Sequence, residues 1–363
     1  MAKKVRPDWM LFVVTLVLSI FGVVMVFSSS VVMAKEKFKD PNYFSIRQLV
    51  AAVLGLALMF VIMKIDYHVF RKPLVVFSTL SLSVALLVAV YFLAEQARTH
   101  RWIQFPLVSF QPSELAKLGL IFFLAYFLEK RKGQINDVRF TLLPIGIIVG
   151  LIATLIVFEP DLGTVIAMLL TALVLMYIAG LSLRWFTVPL VLSIPAFYYF
   201  VYRVDYRWDR ITAFLHPEAD PLGKSYHINQ SQITVGSGGI FGLGYMAGKQ
   251  KLFFLPEAHT DFIFAIVGEE LGLIGAFAVL LLFLVFLWRG LRTSVNAPDR
   301  FGFYLALGIT MMVCLQAFIN MSVVLALMPT KGIPLPFLSY GGSSFVVMLA
   351  AVGILLNVSQ QSN

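Results

Sequence analysis

Ten predominantly apolar stretches, at 9–33, 46–63, 73–93, 114–128, 141–158, 162–180, 185–202, 261–288, 301–328 and 340–358, make up most of this chain. A helix needs roughly 20 such residues to cross about 30 Å of hydrocarbon. Lipid offers the backbone no hydrogen-bonding partners, so segments of this kind satisfy their N–H and C=O groups as helices. The remaining residues are too few in charge to coat a water-soluble globule: 13% are charged and 60% hydrophobic, against about 25% charged in a soluble domain. The sequence therefore predicts an all-α polytopic membrane protein with ten transmembrane helices, and it excludes a soluble enzyme. The segment 203–260 is the one long hydrophilic loop, and 1–363 reads as a single membrane domain. Lys3, Lys4 and Arg6 precede an apolar run too long for a cleaved signal peptide, so the first span is expected to be retained.

Charge sets the orientation. Segments 1–8, 64–72, 129–140, 181–184, 289–300 and 359–363 carry Lys and Arg at more than twice the density of 34–45, 94–113, 159–161, 203–260 and 329–339. The positive-inside rule places the first set, and both termini, in the cytoplasm and the long loop outside. Trp9, Trp185 and Trp288 then fall at cytoplasmic span ends, as an aromatic belt requires. The net charge of +9 is read as this loop bias, and no nucleic-acid partner is expected. The single cysteine, Cys314, rules out a disulfide framework, and the five histidines show no metal-ligand spacing.

This topology, drawn from basic residues alone, gathers the acidic, glycine-rich and proline-rich segments on the outer face. Asp261 stands where Pro256-Glu257-Ala258-His259-Thr260 gives way to an apolar span. One reading is a helix N-cap; the other is a half-desolvated carboxylate able to act as a general base. Glu269 and Glu270 lie deeper in that span. Helical geometry turns Glu269 about 80° and Glu270 about 180° from Asp261, so Glu269 is the one expected to share its cavity. Intramembrane carboxylates suggest function, with buried pairing to a neighbouring helix as the alternative.

Gly242, Gly244 and Ala247 mimic a dinucleotide fingerprint, but an outer loop lacks the strand and helix that motif needs. Those glycines let backbone amides approach a partner or simply permit tight turns. Ser113, Glu114 and Lys117 open the fourth span, as a cap and an i,i+3 ion pair or as a polar site. Glu159 and Asp161 flank Pro160 in a short outer turn, and 329–344 is shaped by prolines and glycines. Gln316 and Asn320 read as interhelical hydrogen bonds.

Together these motifs resemble the SEDS family (shape, elongation, division and sporulation), the FtsW/RodA peptidoglycan polymerases of bacteria. The resemblance runs along essentially the whole chain. It is strongest in ADPLGKSYHINQSQITVGSGGIFGLG (219–244), KQKLFFLPEAHTDFIFAIVGEELG (249–272) and PTKGIPLPFLSYGGSS (329–344), with RWIQF, FQPSELAK and EPDLGT in support. Thr330-Lys331-Gly332 leans to the division (FtsW) branch.

The resemblance implies a peptidoglycan glycosyltransferase in the bacterial cytoplasmic (inner) membrane, polymerising lipid II at the outer face. The donor would be the growing glycan on undecaprenyl diphosphate. Asp261 matches the family's essential aspartate in HTDF and would be catalytic. Arg101, Arg210, Lys249, Lys251 and Lys331 are candidates for the anionic substrate, with the backbone at Gly238 and Gly239. Glu257, His259 and Ser339 are further substrate-binding candidates, and Glu114 and Lys117, also expected to bind substrate, match a polar pair lining the family's central cavity. No nucleotide or other cofactor is required by the sequence, although a divalent cation could bridge carboxylate and diphosphate. Membrane lipid and a class B penicillin-binding transpeptidase are the implied partners. A lipid II flippase is the alternative function.

Overall fold

The computed structural model describes residues 6–93, 101–104 and 109–361. Lys3, Lys4 and part of the 97–117 segment lie outside them. Twelve α-helices are present among the described residues: α1 (Trp9–Phe38), α2 (Tyr43–Lys64), α3 (Pro73–Leu93), α4 (Pro112–Lys130), α5 (Leu143–Phe158), α6 (Leu162–Ile178), α7 (Thr187–Phe197), α8 (Asp205–Leu215), α9 (Tyr226–Ser237), α10 (Ile263–Val295), α11 (Arg300–Val324) and α12 (Gly342–Gln360). The short antiparallel pair β1 (Ile103–Gln104) and β2 (Ser109–Phe110) aligns Ile103 with Phe110.

The protein is all-helical, and eight described segments are long and apolar enough to cross a membrane. They are α1, α2, α3, α10, α11, α12, Val138–Phe158 with α5, and Leu183–Tyr202 with α7. The two other expected spans have physical reasons to fall short. Helix α6 has 17 residues, and α4 carries Glu114, Lys117, Glu129 and Lys130 within its 19 residues.

Burial separates a centre from a periphery. In α11 and α12, 78% and 83% of the most apolar stretch is buried inside the protein, and in the α7 segment none is. Helix α12 packs on α2, α10 on α11 and α1, and α4 on α3 and α11. The central helices can therefore hold polar side chains away from lipid.

Two departures from the hydropathy reading shape the site. The loop 203–260 contains α8 and α9, so it is an ordered cover. Helix α10 breaks at Gly272, whose φ of 67° and ψ of −164° lie outside helical values. The break releases the Glu269 and Glu270 carbonyls, which accept the Leu243 and Gly244 amides at 3.0 and 2.9 Å. In return the Leu273 amide donates to the Gly239 carbonyl at 2.9 Å. Side chains would prevent this approach: a Cβ at Gly238 would strike the Gly268 carbonyl, and one at Gly242 the Glu270 carbonyl. The glycine-rich segment thus uses its amides to cap the opened helix.

Candidate active site

Asp261 is held by its backbone. Leu255, Ala258, His259 and Phe262 are buried anchors on either side of it. The Thr260 and Phe262 amides donate to the Glu257 carbonyl at 3.1 and 3.3 Å, closing a turn. From the facing loop the Tyr340 amide donates to the His259 carbonyl at 2.9 Å, and the Ser339 hydroxyl to the Thr260 carbonyl at 2.5 Å. The Asn320 side-chain amide of α11 donates to the carbonyls of Asp261 at 2.8 Å and Ile333 at 2.7 Å. Asn320 therefore does make polar contacts between elements, and it makes them at this site.

The carboxylate itself has no hydrogen-bond partner among the described residues. It does not cap α10, whose N-cap is Phe262 with no side-chain bond. The capping aspartate is Asp161 at α6, which accepts from the Thr164 amide at 3.1 Å, the Thr164 hydroxyl at 2.9 Å and Gln111 at 3.2 Å.

Asp261 instead faces a mixed set of charges. Its Oδ2 and the Arg101 guanidinium both lie within 4 Å of where a Gly332 Cβ would stand, so glycine keeps this approach open. Burial raises the Asp261 carboxyl to about 7, Glu257 and Asp161 push the same way, and Arg101 and Arg210 pull against them. Arg101 is fixed by the α5–α6 turn, donating from Nε to the Glu159 carbonyl at 2.8 Å and from a terminal nitrogen to the Pro160 carbonyl. Arg210 comes from α8, with its guanidinium 5.3 Å from the Tyr206 ring centre. Glu159, read from sequence as part of a turn, is fully buried with both carboxylate oxygens unpartnered. Burial and Asp161 raise it to about 9, against the pull of Arg101, so it is neutral at pH 7.

The other expected site residues divide into three groups. Lys331 precedes Gly332, the residue that adjoins the aspartate, and His259 lies two positions before Asp261 in the same turn. Lys331 is half-buried, and burial lowers its ammonium below the usual lysine value. His259 is buried, with its ring centre 4.6 Å from that of Phe44 and 5.8 Å from that of Tyr340. Glu257 accepts the Thr260 hydroxyl at 3.0 Å, and Ser339 accepts the Leu335 amide at 2.7 Å. Both shape the loops around Asp261.

A second group supports the loop from below. Lys251 is buried against Glu270 at 2.6 Å and the Ser28 hydroxyl at 3.0 Å. Glu269 accepts the Lys249 and Gln250 amides at 2.7 and 3.1 Å. The expectation that Glu269 shares a cavity with Asp261 is not met: Asp261 precedes the first turn of α10, and the 246–251 segment covers both glutamates. The Lys249 side chain is exposed, and Gly239 faces open space.

The third group is Glu114 and Lys117, paired at 3.0 Å and both buried in α4. Lys117 also donates to Gln316 at 2.6 Å and borders a small void lined by α4, α6 and α11. Among the described residues no cluster of three or more His, Cys, Asp or Glu side chains could hold a metal ion.

The model of the FtsW, RodA and SpoVE proteins, described as "Cell cycle protein", matches residues 8–363. The chain belongs to this family. A Geobacter metallireducens relative named "Probable peptidoglycan glycosyltransferase FtsW" is 45% identical, covering 98% of this chain and 95% of the relative. Stage V sporulation protein E of Bacillus subtilis is 44% identical, covering 99% of both. Among solved structures, a chain of a peptidoglycan synthase complex that coordinates polymerization and crosslinking superposes with a TM-score of 0.77 at 28% identity, covering 97% of both chains. Thermus thermophilus rod shape determining protein RodA gives 0.71 at 27% identity, covering 98% of this chain and 97% of RodA. The chain is thus much nearer in sequence to these FtsW and SpoVE relatives than to that RodA.

Proposed function

We propose that this chain is a peptidoglycan glycosyltransferase of the FtsW-like branch, polymerising lipid II with Asp261 as general base. The observation that carries the reading is the Asp261 carboxylate: unpaired among the described residues, raised to about 7, and acted on by two arginines. The 4-hydroxyl of the acceptor's GlcNAc attacks C1 of the donor sugar. The C1–oxygen bond to the lipid diphosphate breaks as the new glycosidic bond forms, and Asp261 takes the hydroxyl proton. A base whose pKa lies near the working pH is best suited to such a transfer. Arg101 and Arg210 would balance the diphosphate as it leaves, and Lys331 is a further candidate cation. Glu114 and Lys117 are read as the polar lining of the cavity beneath.

We read 1–363 as a single membrane domain of ten spans, counting α4 and α6, in the bacterial cytoplasmic membrane. The Lys/Arg asymmetry supports cytoplasmic termini and an outer loop. A class B transpeptidase is the proposed partner, supported by the superposition on a synthase-complex chain. A divalent cation would have to be held jointly by substrate diphosphate and carboxylate.

The test is purified protein with lipid II and no nucleotide, with and without the class B partner. Glycan ladders from the wild type are expected. A protein that moves lipid II across vesicles but makes no ladder, and depends on Glu269 and Glu270 more than on Asp261, would establish the flippase instead.

A further inference from the structure

The α1–α2 corner carries more positive charge than topology or helix stability explains. The outer segment 34–45 has Lys35, Lys37 and Lys39, and Arg47 follows in α2. The positive-inside rule disfavours such a cluster on this face. Lys35 and Lys37 compensate the carbonyl end of α1, but Arg47 lies near the amide end of α2, where a cation gains nothing from the helix dipole. Neither Lys37 nor Arg47 makes an ion pair among the described residues.

These cations sit beside the active-site loops. Arg47 lies over the Tyr43 ring at 4.2 Å and next to Tyr340, whose hydroxyl is raised by burial with Arg47 opposing. Lys37 acts on His259 against the larger opposing effect of Glu257, and neither Lys37 nor Arg47 is among the charges acting on Asp261. His259 is 5% exposed, and its Nδ1 is buried with no partner, a costly state for a polar atom that a ligand oxygen would relieve. Its ring packs with those of Phe44 and Tyr340, which themselves meet edge to face at 5.1 Å, so the orphaned nitrogen sits at an aromatic corner.

We infer that Lys37 and Arg47, with His259, form a second anion subsite that holds the diphosphate of the acceptor lipid, apart from the Arg101–Arg210 pair that faces the donor. This rests on the glycosyltransferase reading. The two substrates place their charges differently. The donor diphosphate is bonded to the carbon under attack, so its cations stand across that one carbon from the base, close enough to act on it as Arg101 and Arg210 act on Asp261. The acceptor reacts at its GlcNAc hydroxyl, one disaccharide away from its own diphosphate. Its cations must therefore stand off from Asp261 while the sugars bridge the gap. The corner meets that requirement: Lys37 and Arg47 act on His259 and Tyr340, and neither is among the charges acting on Asp261.

The experiment uses the full chain in vesicles, with a preformed glycan on lipid diphosphate as donor and labelled lipid II as acceptor. The double variant Lys37→Ala/Arg47→Ala is compared with wild type, Lys37→Ala alone and Arg47→Lys. Loss of charge-assisted hydrogen bonds predicts a rise of about tenfold or more in the acceptor KM of the double variant. The donor KM and saturating rate should stay unchanged, and Arg47→Lys should retain much of the wild-type value. The effect should be equal in phosphatidylcholine vesicles and in vesicles with added phosphatidylglycerol. A donor KM that rises instead, unchanged constants throughout, or an effect confined to anionic vesicles would overturn the subsite. The last would identify phospholipid headgroups as the ligand. If the wild type makes no polymer, the glycosyltransferase reading itself fails; a polymerising wild type with an unaffected double variant removes the subsite alone.

Discussion

The two ends of α10 use carboxylates in opposite ways. Beyond its C-terminus, Asp299 caps α11 through the Gly302 amide at 2.7 Å and accepts from the Tyr67 hydroxyl at 2.7 Å, with His68 at 2.8 Å. His68 also reaches Asp66 at 2.7 Å, and Asp66 accepts from Gln361 at 3.2 Å. Burial alone would raise Asp66 and Asp299, yet these hydrogen bonds hold both below the usual carboxylate range. Arg289 completes this end by bonding Asp8, the cap of α1, at 2.9 and 2.5 Å. At the N-terminus of α10, Asp261 is half-buried, its carboxylate has no hydrogen bond among the described residues, and its carboxyl is pushed up. One end satisfies its acids and joins helices. The other leaves an acid poised to take a proton.

Linkage gives the two ends opposite pH behaviour. Asp66 and Asp299, with lowered values, contribute stability that is present above the ordinary carboxylate pKa and lost as pH falls through their folded values. Asp261, with a raised value, contributes stability below the ordinary pKa that is gone once pH exceeds about 7. The Asp261 end is thus less stable once its carboxyl is ionised, the state the proposed base requires.

The largest effect that sharpens this contrast is on rate. Asp261→Asn should lower polymerisation by about 10²–10⁴-fold, the usual contribution of a general base, with the melting temperature held or raised. A wild-type rate from that variant would break the comparison. Next comes Lys251→Met, which strands Glu270 in a buried site; breaking a buried pair costs about 3–5 kcal/mol, read as a lowered denaturation midpoint. Unchanged stability would mean that Glu270 takes up a proton and needs no lysine. Asp299→Ala should cost about 1–3 kcal/mol through the lost cap and hydrogen bonds while polymerisation per folded molecule persists. Equal loss of activity and stability there would erase the distinction between the two ends.

Much of this was legible in the sequence because hydropathy and charge act locally. Apolar length marked the helices, and the polar segments between them pointed to the neighbourhood of the candidate site. What hydropathy could not reveal was packing that depends on contacts far apart in the chain. The kink at Gly272 exists because 236–244 supplies amides to the opened carbonyls, and no local pattern in α10 announces that. Lys251 and Glu270 meet directly and share the hydroxyl of Ser28 in α1, 223 positions from Lys251 in the chain. Asp161 and Asp261 both precede an apolar run, so a capping rule cannot tell them apart. The distinction comes from Gln111 reaching one and Gly332 opening the other to Arg101.

The most direct measurement is the polymerisation rate against pH for wild type and Asp261→Asn side by side, with substrate saturating. Asp261 must be ionised to accept a proton, so the wild-type rate should fall as pH drops below about 7, with the slope of a single proton. Asp261→Asn should show a low residual rate without that limb. A variant that keeps the wild-type rate, or the same limb at a lower rate, would contradict Asp261 as the base.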